Sequence, residues 1–214
     1  MSMQFANFVA DFLHAFLTNL RVGFMSLIVG LAVGAPLALL RRGPVGLRWP
    51  GNIITALLRA APTFVVMFFL LNMLPPNIYI ADISWRVSPE LVLTLSLAVY
   101  AAGYVSDNLL DALRHLAEGA TGAALLFFPG VIRAFFVLVM ASSTGAAIGV
   151  HEAVTTTLRE ADTLPGRANR IALVLVVILF FTLVLQIANK LAHFVTARLT
   201  RHFAAAHQPK LPQT

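Results

Sequence analysis

Five apolar stretches, each long enough to cross a bilayer, occupy most of this chain: Val22–Leu40, Ile53–Leu74, Leu91–Leu110, Ala123–Val150 and Ile171–Ala188. A hydrocarbon core needs roughly 20 apolar residues of helix. Inside that core every backbone N–H and C=O must find a partner within the protein, a demand that a helix meets alone. The spacing therefore predicts an all-α, polytopic integral membrane protein with five transmembrane helices. The polar connections are too short to build a separate soluble domain, so function has to lie in or between the helices.

Composition removes other classes. Only 11% of residues are charged, 59% are hydrophobic and the mean hydropathy is +0.84, where soluble domains carry roughly 25% charged residues. The net charge of +6 forms no compact basic face, so nucleic acid is not an expected partner and membrane lipid is. With no cysteine there is no disulfide, thiolate metal site or thiol nucleophile. Enzyme signatures are missing too: no His-Glu-x-x-His, no glycine-rich phosphate loop ending in Lys-Ser/Thr, no Gly-x-Ser-x-Gly. The histidines all fall outside the apolar runs, which counts against an intramembrane hydrolase. The expectation is a chain with no catalytic residues, metal or cofactor of its own.

Ahead of the first run, Phe5, Phe8, Val9, Phe12, Phe16 and Leu17 share one helical face. That pattern predicts an amphipathic helix over residues 1–21 lying at the interface, then one five-span domain over 22–191 and a basic tail over 192–214. Orientation follows from the connections. One alternate set carries eight basic residues (Arg41, Arg42, Arg48, Arg114, Lys190, Arg198, Arg201 and Lys210) and the other five (Arg21, Arg86, Arg159, Arg167 and Arg170). The positive-inside rule puts the richer set in the cytoplasm, so the N-terminus is expected outside and the C-terminus inside. Pro75 to Arg86 reads as an external loop, and His151–Asp162 as a short external helix ended by Leu164-Pro165-Gly166.

Polar residues at membrane depth are costly and usually face a bundle interior or an aqueous path. In span three Tyr100, Tyr104, Asp107 and Asp111 recur at i, i+4, i+7 and i+11, one stripe on a helix. They form either the wall of a polar pathway or, for the two aspartates, a wet helix end paired with Arg114. In span two Arg59 precedes Ala60-Ala61-Pro62-Thr63, a broken helix of the kind that builds anion-tolerant sites in transporters, or a snorkelling arginine beside a packing kink. In span four Arg133 follows Pro129-Gly130, and Ser142, Ser143, Thr144 and Gly145 offer hydroxyls where a helix can unwind, or simply pack. An unpaired guanidinium at depth costs at least about 2.5 kcal/mol, so Arg59 and Arg133 are candidate bundle-interior charges, with Asp107 the leading acid for Arg133. Tyr100, Tyr104, Asp107, Ser142, Ser143 and Thr144 are the candidate translocation path. Gly30 and Gly34 read as helix-packing residues.

The order of these features resembles the permease subunits of ATP-binding-cassette importers for polar amino acids. Asn19 to Gly30 and on to Arg41-Arg42 looks like that family's first span. Leu57-Leu58-Arg59-Ala60-Ala61-Pro62-Thr63 through Leu74-Pro75 is similar to its Arg-Gly-Thr-Pro start and Leu-Pro end of span two. Tyr104-Val105-Ser106-Asp107 resembles its Tyr-x-x-Glu, and Ser142-Ser143 with Ile148-Gly149-Val150 its Thr-Ser and Val-Gly-Val stretch. The resemblance implies alternating access in a complex with a homologous permease subunit, cytoplasmic ATPase subunits and an external solute-binding protein, in a bacterial inner membrane. Two departures stand out. The connection Leu113 to Gly122 is about twenty residues shorter than the family's coupling loop, too short for a docked helix pair at 1.5 Å per residue, and Arg133-Ala134 replaces its Asn-Glu pair. A permease-like subunit that has lost ATPase coupling and acts as a scaffold or regulator is the alternative reading.

Overall fold

In the computed structural model the described residues are 2–80 and 83–206. The chain is all-α apart from one small hairpin. Its elements are α1 (Ser2–Arg42), α2 (Val45–Ala60), α3 (Thr63–Met73), β1 (Asn77–Ile80), β2 (Ile83–Arg86), α4 (Pro89–Ala117), α5 (Thr121–Ala124), α6 (Phe127–Ala141), a 3₁₀ segment (Ser142–Ile148), α7 (Ala153–Thr163) and α8 (Arg167–Ala206). Among the described residues four helices are long and apolar enough to span a membrane, or five if the bent pair α2 and α3 is counted as one span. This is a multi-pass membrane protein.

The sequence sets the limits of most elements. Ser88 caps α4 by accepting from the Leu91 N–H at 3.2 Å, with Pro89 in the first turn where its missing N–H costs nothing. The α4–α5 corner turns at Gly119, which adopts φ +77°, a left-handed conformation that favours glycine. Pro62 lacks an N–H and holds the preceding residue extended. Ala61 and Pro62 both leave the helical region, and α2 and α3 meet at 94°. The expected kink in span two is thus a corner. The expected external loop contains the antiparallel pair β1 and β2, with Asn77 opposite Arg86 and Ile80 opposite Ile83. The expected external helix is α7, with Glu152 rather than His151 at its start.

Two expected boundaries fall inside continuous helices. No break separates residues 1–21 from the first span, because α1 runs unbroken from Ser2 to Arg42. Its early aromatic face finds a protein partner: Phe8 and Phe12 are buried with Ala153, Val177 and Phe181. Phe12 and Phe16 each meet Phe180 edge-on at 5.1 Å, an arrangement favoured by the ring quadrupoles. That packing replaces the separate interfacial helix. Likewise α8 crosses residue 192 without interruption.

The core lies where α1 crosses α4. A Cβ on Gly34 would sit 2.5 Å from the Ala102 carbonyl oxygen, and one on Gly30 would collide with Ala101. The absence of side chains there lets the two backbones touch, as small residues do at membrane helix contacts. Around this crossing Val22, Leu27, Met67, Leu93, Leu97, Leu138 and Val150 are buried together. By contrast α8 keeps most of its apolar surface exposed, which suits a helix facing lipid.

Candidate functional site

Asp107 organises one face of the bundle. From α1, Arg41 donates through Nη1 to Asp107 Oδ1 at 2.7 Å and to Ser106 Oγ at 3.0 Å, and through Nε to Asn52 Oδ1 at 2.8 Å. From α2, Arg59 donates through Nη1 to Asp107 Oδ2 at 2.6 Å. Each carboxylate oxygen therefore has its own guanidinium, and one acid ties three helices together. Two glycines make room: a Cβ on Gly103 would lie 2.9 Å from Arg59 Cγ, and one on Gly51 2.8 Å from Arg41 Cγ. Thr55 Oγ1 donates to the Gly51 carbonyl at 2.9 Å and, its one hydrogen used, accepts from Ser106 Oγ at 3.1 Å.

The two arginines differ in setting. The Arg41 side chain is 14% exposed, Asp107 24% and Arg59 65%. Arg41 is a buried fastener, whereas Arg59 reaches Asp107 from an open cleft. That cleft, of about 380 Å³, is lined by Arg59, Tyr100, Tyr104, Asp107 and Asn108. The rings of Tyr100 and Tyr104 stack at 6.3 Å, and the Tyr104 hydroxyl donates to the Gly130 carbonyl on α6 at 3.2 Å. Arg133, one turn past Gly130, lies within electrostatic reach of Tyr104 and is exposed. With Asp107 balancing one of its two arginines, this face carries excess positive charge and offers phenol and amide groups to a small polar or anionic solute.

The structure separates the six candidate path residues into two places. Tyr100, Tyr104 and Asp107 share the cleft; Ser142, Ser143 and Thr144 do not line it. Ser142 is fully buried, accepts from Asn19 Nδ2 at 2.8 Å and donates to the Val139 carbonyl at 2.7 Å. Thr144 donates to the Ala141 carbonyl at 2.8 Å. Ser143 borders an apolar cavity of about 380 Å³ between α6, α7 and α8, whose walls include Met140, Val177 and Phe181. The α-helix does give way to 3₁₀ at Ser142, but the Ser142 and Thr144 hydroxyls turn back on the backbone, and the buried Ser143 hydroxyl has no hydrogen-bond partner among the described residues.

The expectation for the arginines is corrected in the same way. Arg59 and Arg133 are both exposed in the single chain, and among the described residues Asp107 pairs with Arg41 and Arg59 and not with Arg133. Asp111 pairs loosely with Arg114 at 3.4 Å, both exposed. In the sequence Arg41 reads only as a basic residue closing span one and Asn19 only as the start of the family-like first span, and neither they nor Asn108 and Glu152 are among the candidate site residues. Asn19 Nδ2 also donates to Glu152 Oε2 at 3.2 Å, and its Oδ1 accepts from the Ala153 N–H at 3.1 Å. Glu152 in turn accepts from the Val154 and Thr155 N–H groups at the start of α7. A polar Asn deep in an apolar helix was the available signal, and the acidic cap before Ala153 the second.

Helix order, the α1–α4 crossing and the exposed polar face of α4 define an all-α membrane protein with the fold of ATP-binding-cassette importer permeases. A chain of an amino-acid ABC transporter solved with histidines superposes at a TM-score of 0.69, with 14% identity, covering 92% of this chain and 97% of that one. Two inward-facing crystal forms of the methionine ABC transporter MetNI superpose at 0.59 and 0.60, with 14% and 15% identity, covering 86% and 87% of this chain and 96% and 97% of theirs. No protein-family model and no curated protein matches the chain by sequence.

Proposed function

We propose that this chain is a transmembrane permease subunit of an ATP-binding-cassette importer for amino acids or similar small polar solutes. It would form part of a translocation path by alternating access, beside a homologous permease subunit, cytoplasmic ATPase subunits and an external solute-binding protein. ATP hydrolysis belongs to the partner ATPase. The observation that carries this reading is the cleft on α4: an acid clamped by two arginines, flanked by stacked tyrosines and open on the outer surface of the single chain. A wall of that kind needs a second wall, which a partner permease supplies. The orientation argued from charge, N-terminus outside in a bacterial inner membrane, belongs to the same proposal.

One observation favours the second reading, a scaffold or regulator without ATPase coupling. Between Ala117 of α4 and Phe127 of α6 there is only the Gly119 turn and the single-turn α5, and no helix long enough to lie across an ATPase. The discriminating experiment is uptake in cells carrying the full complex, with Asp107→Asn, Tyr104→Phe and the Ser142→Ala/Ser143→Ala pair. The permease reading expects the first two to change uptake rate or substrate preference while the complex still assembles, and the hydroxyl pair, lying away from the cleft, to act on assembly. Unchanged uptake in the cleft variants, with the subunit still required for assembly, decides for the scaffold.

A further inference from the structure

At the end of the bundle where α1 stops and α2 starts lies a cavity of about 310 Å³ lined by Arg41, Arg42, Arg48, Asn52, Leu110 and Arg114. Arg41 is committed to Asp107, Ser106 and Asn52. The others are not spent. Among the described residues Arg42 and Arg48 have no acidic partner, and Arg48 uses only Nε, on the Gly43 carbonyl at 2.6 Å. Arg114 has only its loose, exposed contact with Asp111. Asn52 already gives its oxygen to Arg41, leaving its amide N–H groups. The uncommitted side-chain groups facing the cavity are therefore donors, three of them cationic. That set fits an acceptor-rich anion with several oxygens, and guanidinium forks match phosphate oxygens in particular.

The surroundings identify the source. Beside the arginines the first two turns of α2 leave Trp49 71% and Val45 79% exposed, with Leu47 exposed between them. In a membrane protein, exposed tryptophan at a helix end marks the headgroup level. Here apolar contact surface and a phosphate-sized basic pocket adjoin, and a phosphate ester bearing acyl chains would occupy both at once. We propose that this pocket binds the phosphate of an anionic phospholipid headgroup. The site adjoins the α4 cleft through Arg41, which pairs with Asp107, but its uncommitted arginines Arg42, Arg48 and Arg114 do not line the cleft.

The test uses the full chain in lipid nanodiscs, with phosphatidylglycerol or phosphatidylcholine, followed by native mass spectrometry to count retained lipids. Wild type should retain phosphatidylglycerol and release phosphatidylcholine. Each arginine near an anionic lipid surface multiplies binding by about fivefold, so R42Q/R48Q/R114Q should lower phosphatidylglycerol retention by roughly a hundredfold. All three are exposed, so helicity by circular dichroism should be unchanged. R42K/R48K/R114K should keep much of the retention, and R159Q/R167Q/R170Q, outside this pocket, should keep all of it. Equal retention of the two lipids by wild type, or undiminished phosphatidylglycerol on the glutamine variant, overturns the site. Displacement of the lipid by millimolar inorganic phosphate overturns the lipid as occupant in favour of a soluble phosphate.

Discussion

Asp107 is held by two arginines of unequal burial, and this makes a quantitative forecast possible. Breaking a buried ion pair by removing one partner costs about 3–5 kcal/mol. Asp107 is 24% exposed, so the lower end applies and Asp107→Ala should cost about 3 kcal/mol. Arg41→Gln loses charge-assisted bonds at a buried position and should cost about 2 kcal/mol. Arg59, 65% exposed, makes a pair of the kind worth roughly 0–1 kcal/mol in water, so Arg59→Gln should cost about 0.5 kcal/mol. Double-mutant cycles read by reversible unfolding of the isolated chain in mixed detergent micelles would give the two couplings. The Arg41–Asp107 coupling should be near 2 kcal/mol and the Arg59–Asp107 coupling under about 0.5 kcal/mol. The figure for Arg59 takes the cleft as wet, which a transport path requires. Couplings of equal size would mean that Arg59 is sealed from water, and the reasoning would fail together with the reading of the cleft as aqueous.

Two further outcomes follow from close packing and from the buried polar network. Gly34→Leu should separate α1 from α4 and cost about 3 kcal/mol, whereas Gly46→Ala, with nothing within 4 Å of its Cβ, should cost nothing and stabilise by up to about 1 kcal/mol; equal effects in the same unfolding assay would contradict the crossing. Glu152→Ala removes the cap of α7 and the acceptor of Asn19 together, so it should cost about 2–3 kcal/mol. Hydrogen exchange should then rise first at the Val154 and Thr155 amides, and unchanged exchange there would refute the capping role.

The architecture was legible because the bilayer imposes it. Apolar runs near twenty residues long, Pro62 as a breaker and Gly30 and Gly34 as a contact face each have one strong physical cause, and each appears in the structure. The stripe of Tyr100, Tyr104 and Asp107 was legible because helical periodicity alone puts those residues on one face. What periodicity cannot give is which helix approaches that face. In the sequence Arg41 closes span one and Arg133 lies within span four, and only the α1–α4 crossing decides that it is Arg41 that reaches Asp107. The hydroxyls after Met140 misled for a related reason: Ser and Thr can satisfy themselves on a carbonyl three residues back, as Ser142 and Thr144 do. The break at residue 21 was misplaced because an aromatic face looks the same whether lipid or Phe180 covers it.

The unbroken length of α1 has a mechanical consequence. Its 41 residues measure about 60 Å at 1.5 Å per residue, against roughly 40–45 Å for a bilayer with its headgroups. The helix touches α4 backbone to backbone at Gly30 and Gly34, a natural fulcrum. From the midpoint of that contact, Ala32, to Phe8 is about 36 Å, and to Arg41 about 14 Å. The arms are unequal, so a rocking motion that shifts Arg41 by about 1 Å against Asp107 would swing Phe8 by about 3 Å against α7 and α8. A slight loosening of the ion clamp at one surface would thus be magnified into a visible opening at the other.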